Sequence, residues 1–170
     1  MSVTRDILES YRAPRRVLRR LMDGPENEAR ALVYLILGCG LIFVAQWPRL
    51  SRDAFFDPSI PLEARIGGAL LGWIFIAPLA FYLIAGLTHL LASIFRRKST
   101  GYRARLALFW AILAASPLWL LYGLASGFLG QGGQLAVLGF PAFAAFIIFW
   151  GLGLREAIIS SPLETPGETP

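Results

Sequence analysis

Four apolar runs, residues 31–48, 66–95, 106–128 and 135–154, contain no Asp, Glu, Lys or Arg. Hydrocarbon offers no partner for a free backbone N–H or C=O, so a run that crosses it must bond to itself as a helix or close into a barrel. About 20 helical residues span the apolar thickness, and each run has roughly that length or more. The pattern therefore predicts an all-α, polytopic transmembrane helix bundle with four spans. With 56% hydrophobic residues and a mean hydropathy of +0.59, the composition lies outside that of ordinary soluble domains. Spans without acids or bases also lack most of the residues that build pumps and proton relays.

The arginines orient the bundle. Fifteen of the sixteen basic residues are Arg, with Lys98 the single lysine, a composition that suggests a bacterium with a GC-rich genome. Seven precede the first span, three lie in 49–65, five in 96–105, none in 129–134, and Arg155 follows the last span. Alternating the sides places thirteen basic residues on one face and three on the other. By the positive-inside rule both termini and the 96–105 loop are expected in the cytoplasm of a bacterial inner membrane. The net charge of +5 is thus explained by orientation rather than by nucleic acid.

The expected layout is a cytoplasmic, amphipathic basic segment over 1–28, a bundle over 29–155 and a disordered tail over 156–170. Ile36-Leu37-Gly38-Cys39 imitates a lipoprotein cleavage box. A processed signal, however, has a short basic start and a short apolar stretch. Here the first 30 residues carry five acids, and apolar sequence continues to Trp47. The first span is expected to serve as an uncleaved insertion signal, with Gly38, Cys39 and Gly40 as small residues at a helix contact. A lone cysteine leaves no internal disulfide and no cysteine-based metal cluster.

In the first 22 residues, Arg12, Arg15, Arg16, Arg19 and Arg20 fall within an arc of about 140° on a helical wheel. Val3, Ile7, Tyr11, Val17, Leu18, Leu21 and Met22 project from the opposite side. Such a helix suits the membrane interface, its apolar face in the acyl boundary and its arginines on anionic headgroups. Pro14 is expected to divide it, and Gly24-Pro25 to end it.

The second run is longer than a bilayer requires: thirty residues rise about 45 Å against roughly 30 Å of hydrocarbon. Tilt, a bend at Pro78 or projecting ends would absorb the excess. Gly68, Gly72, Phe75, Leu79, Tyr82, Gly86, His89 and Ser93 recur at spacings of three and four, a stripe expected to face protein. Ser116, Leu120, Gly123 and Gly127 form a similar stripe in the third run. His89, the only histidine, is either a packed interhelical hydrogen-bonding residue or a protonatable site. No intramembrane carboxylate stands ready to relay with it, which favours packing.

From His89 to Pro117 the chain reads HLLASIFRRKSTGYRARLALFWAILAASP. A long span leads into a short basic turn, Arg97-Lys98-Ser99-Thr100-Gly101, and the following span carries a late Ser116-Pro117 step. This resembles the bacterial branch of the Yip (Ypt/Rab-interacting protein) family, and Leu8 to Met22 resembles that family's lead-in to its first span. The resemblance covers about residues 7–155. The family is usually described with five spans; dividing 106–128 at Pro117 would leave pieces too short to cross, so four are counted here. Its eukaryotic members act in vesicle traffic and membrane organisation, and the resemblance implies no catalytic residues.

Two functions are expected from these features. The first is a non-enzymatic scaffold or adaptor that binds anionic lipid headgroups, other membrane proteins or itself through Arg12, Arg15, Arg16, Arg19, Arg20, Arg96, Arg97 and Lys98. The second is a small transporter or channel subunit with a polar site at Tyr82, His89 and Ser116, joined by Thr88. No cofactor, metal or nucleic acid is expected, since no nucleophile–base pair, phosphate-cradling loop or metal spacing is present.

Overall fold

The computed structural model describes residues 2–94, 101–130 and 133–159, with the side chains of 91–94 and 134 excepted. Helices make up nearly all of it, and no strand occurs among the described residues. Two short helices open the chain, α1 (Val3–Ser10) and α2 (Pro14–Met22). A long helix α3 (Glu28–Phe56) follows. Next come α4 (Leu62–Leu70), a π-helical segment (Leu71–Ile76) and α5 (Ala77–Ile94), which run on without interruption. Helices α6 (Gly101–Leu129) and α7 (Gly133–Ile159) complete the bundle. Four of these rods are long and apolar enough to cross a membrane. The chain is thus an all-α bundle of multi-pass membrane type. Helix α6 passes through Pro117 unbroken, which leaves four candidate spans rather than five.

Local chemistry sets the boundaries. Ala13 precedes Pro14 and is non-helical (φ −143°, ψ 63°), because the proline ring crowds a helical residue before it. The proline then occupies the first position of α2, where its missing N–H costs nothing. Asn27 caps α3 by accepting a hydrogen bond from the Arg30 amide at 3.0 Å. Ahead of Pro78 the helix widens: the Ala77 amide reaches back to the Gly72 carbonyl. Pro78 has no N–H for the Ile74 carbonyl and crowds it, and a wider turn relieves that conflict. The long second span therefore adapts by a change of winding within one continuous rod.

Helix α6 is the axis of the fold. Residues 104 and 106–116 are buried without a break, so it has no lipid-facing side over these turns. Helix α3 runs parallel to it. Gly38 meets Ile112 and Leu113, Gly123 meets the Ala45 backbone, and Gly127 meets Pro48. A methyl group at Gly123 or Gly127 would overlap the facing chain, so these glycines permit the close crossing. The Gly123 and Gly127 stripe thus does face protein, as does Gly38, whereas Gly40 faces open space. Helices α5 and α7 run antiparallel to α6, with Tyr82 edge-on to Phe109 at 4.9 Å and Gly153 against Ala107.

The second span packs through a different face from the one its glycines mark. Trp73, Ala77, Phe81, Tyr82 and Ala85 meet the core. Gly68, Gly72 and Gly86 have nothing within 4 Å of an added Cβ, and Phe75 and Leu79 are exposed. The aromatic residues and two alanines, not the glycines, carry this contact.

Polar groups close both ends. At one, Arg30 donates to the Leu21 carbonyl (3.0 Å) and to the Tyr102 hydroxyl (3.1 Å), and Arg105 pairs with Glu28. At the other, Arg52 donates to the carbonyls of Gly127 (3.3 Å) and Phe128 (3.2 Å), which the end of α6 leaves unpaired. Gly130 turns the chain there with φ +73°, a conformation that glycine adopts without strain. Residues 156–159, expected in the tail, are helical as the end of α7. Residues 160–170 lie outside the described residues.

Candidate functional site: an arginine-lined helical hairpin

Helices α1 and α2 fold back on each other and lie against α6 and α7. Val17, Leu18, Leu21 and Met22 are 0–6% exposed, and Ile7 is also buried. Here the structure departs from the interfacial expectation: the apolar face rests on protein instead of dissolving in acyl chains. The Tyr11 hydroxyl donates to the Ala114 carbonyl (2.8 Å) and its ring meets Phe149 edge-on at 5.3 Å. The Trp110 indole donates to Ser10 Oγ (3.2 Å), which itself donates to the Asp6 carbonyl (2.8 Å). Ala114 lies eight residues, or about 12 Å, beyond Leu106, the first residue of the charge-free run of α6. The Tyr11 side chain therefore reaches past the charged start of α6 onto its charge-free run.

The five arginines expected on one face do share it. Arg12 is exposed and forms no ion pair among the described residues. Arg16 is 81% exposed and lies 3.9 Å from Glu9. Arg19 Nε donates to Glu156 Oε2 at 2.7 Å, while Arg15 stands 4.0 Å from the same carboxylate. Glu156 is 1% exposed, so this contact holds α2 to α7 with one member out of water. The Glu156 hydrogen bond holds the Arg19 guanidinium above its ordinary pKa. Arg20 reaches Asp6 (2.6 Å) and Glu9 (3.1 Å), which ties α2 to α1. Arg19 and Arg20 are thus engaged in holding the hairpin, and Arg12, Arg15 and Arg16 present free or loosely held charge. Arg96, Arg97 and Lys98 lie outside the described residues.

Two open depressions flank the Arg12–Arg16–Arg20 row. One, of about 900 Å³, is lined by Ala13, Pro14, Arg15 and Arg19 as well. The other, of about 840 Å³, adds Arg5, Leu8 and Tyr11. Helix α2 starts beside the first with no side-chain cap and no acid in its first turn. Sequence reasoning missed Arg5, which lies outside the arginine arc, and Glu156, whose burial no periodicity reveals. The pairing of Asp6 and Glu9 with Arg20 was open to discovery, since two acids three apart share a helical face.

The other candidate residues do not converge. Tyr82 packs on Phe109, whereas the His89 ring lies beside Gly101, about 12 Å along α6. Its Nδ1 is buried with no hydrogen-bond partner, so the interhelical bond expected of it is absent at that atom. Ser116 Oγ donates to the Leu113 carbonyl (2.8 Å) and Thr88 Oγ1 to the Ile84 carbonyl (2.7 Å), each within its own helix. These hydroxyls are satisfied locally and at different heights. Nor do three His, Cys, Asp or Glu side chains meet among them. Comparison with family models, with curated proteins and with solved structures returns no match.

Proposed function

We propose that this chain is a non-enzymatic membrane protein, Yip-like in its sequence, that acts as a scaffold or adaptor. It docks anionic lipid or other membrane proteins on the arginine face of the α1–α2 hairpin. One observation carries the reading: the hairpin spends its apolar side on α6 and α7 and turns its arginines outward. A cationic surface held this way binds without first paying to order a loose helix. Placement of the hairpin in the cytoplasm is supported by the positive-inside rule, and residence in a bacterial inner membrane by the arginine-rich composition and the Yip resemblance; both belong to the same proposal.

The test compares what co-purifies in native lipid with the wild-type chain and with Arg12→Gln/Arg16→Gln. Both side chains are exposed and hold no buried carboxylate, so the bundle should persist. The variant is expected to lose anionic lipid or partner proteins that the wild type retains. An identical set of lipids and proteins from both would overturn the proposal.

A further inference from the structure

We propose that the two arginine-lined depressions form one site for a membrane lipid that carries two phosphates on a single headgroup. This inference rests on the docking role assigned above and names its ligand. The depressions share the row of Arg12, Arg16 and Arg20, and each has a further cation in its lining, Arg15 in the first and Arg5 in the second. Asp23 also lines the first, and Asp6 and Glu9 the second, so arginines outnumber carboxylates in both. Arg20 is engaged by Asp6 and Glu9, so the charge left for a ligand is Arg12 and Arg5, with Arg16 held loosely by Glu9 at 3.9 Å and Arg15 4.0 Å from Glu156. Each depression thus offers more than one guanidinium fork, the group that holds a phosphate through paired N–H donors.

Apolar surroundings select lipid over a soluble anion. The turn that carries Arg12 follows Tyr11, whose hydroxyl reaches Ala114 and whose ring meets Phe149, both on helices apolar enough to cross a membrane. A phosphate seated on the arginines has those helices beside it for its acyl chains. Leu8, 71% exposed, and Tyr11 supply an apolar rim beside the second depression. Basic pockets beside membrane helices take phospholipid headgroups. Two phosphates on one glycerol place the second at high effective concentration once the first has bound, so one such lipid outcompetes two separate ones.

The experiment is native mass spectrometry of the full chain in neutral detergent. Diphosphatidylglycerol competes with phosphatidylglycerol at matched phosphate charge, with phosphatidylcholine as the uncharged reference. Retention of diphosphatidylglycerol should exceed that of phosphatidylglycerol by on the order of tenfold or more. Arg12→Gln should abolish that preference with an unchanged melting curve, because Arg12 is exposed and unpaired. Arg155→Gln, outside both depressions, should keep it. Equal retention of the two anionic lipids would overturn the two-phosphate site and leave anionic-lipid docking standing. No preference for either over phosphatidylcholine would overturn the lipid reading of the hairpin altogether. A preference that survives Arg12→Gln would show that the site is elsewhere.

Discussion

Gly123→Ala tests the close crossing of α3 and α6 with its own controls in the same chain. The added methyl would lie 2.7 Å from the Ala45 carbonyl carbon and 2.9 Å from its Cα, against ordinary contact from 3.4 Å. The obstacle is backbone, so no rotamer change relieves it and the helices must part. Overpacking of this kind costs about 1–3 kcal/mol, and the rigid obstacle argues for the upper end. Alanine in place of glycine returns roughly 1 kcal/mol of helix propensity. The net loss is about 2 kcal/mol, or a melting temperature lower by about 4–8 °C for a chain of this size. Gly40→Ala and Gly86→Ala meet nothing within 4 Å and keep the propensity gain alone, so they should be neutral or slightly stabilising. Gly123→Ala/Gly127→Ala should cost less than the sum of the two, since helices already parted leave room for the second methyl. Tryptophan-detected melting of the purified chain in one detergent reads all five variants, Gly127→Ala alone included. A Gly123→Ala melt indistinguishable from that of Gly40→Ala would refute the crossing.

His89→Leu should be neutral or mildly stabilising in the same melts, because it removes a buried nitrogen that has no partner. A large loss of stability would show that the ring makes a bond the fold needs. The turn between α3 and α4 should weaken in acid. Asp57 accepts hydrogen bonds from Ser59 and then from Arg65, which hold its carboxyl below the usual 3.8. The carboxylate's contribution is complete above 3.8 and disappears as pH falls through the lowered value. Asp57→Asn should therefore flatten the acid limb of the melting temperature against pH; an unchanged limb would exclude Asp57 as its source.

The spans were legible because a long run without charge admits few structures other than a membrane helix. The role of Gly123 and Gly127 was legible for a related reason, since small residues four apart on one face favour a close crossing. The same rule misled at Gly68, Gly72 and Gly86. Spacing shows that residues share a face without showing what the face meets, and on the second span Trp73, Phe81 and Tyr82 provide more contact than the glycines. The N-terminal segment was divided at Pro14 as read, and its arginines do share one side. What covers its apolar side was not legible, because amphipathicity looks the same whether Leu18 meets lipid or Gly153. Glu156 was hidden for a comparable reason. An acid beside the last span reads as solvated until α2 is placed over it.

The docked hairpin is the claim on which the rest depends, and thiol cross-linking in membranes tests it directly. With Cys39→Ala, the double variant Tyr11→Cys/Phe149→Cys carries its only thiols where two rings now meet at 5.3 Å. Leu18, Leu21 and the Arg19–Glu156 contact remain to seat the hairpin. A short bis-maleimide should join the two positions within one chain in intact membranes, as it should join Glu28→Cys to Arg105→Cys, whose side chains pair between α3 and α6. Efficient linkage of the second pair with none at the first would contradict the account and return the hairpin to the lipid surface.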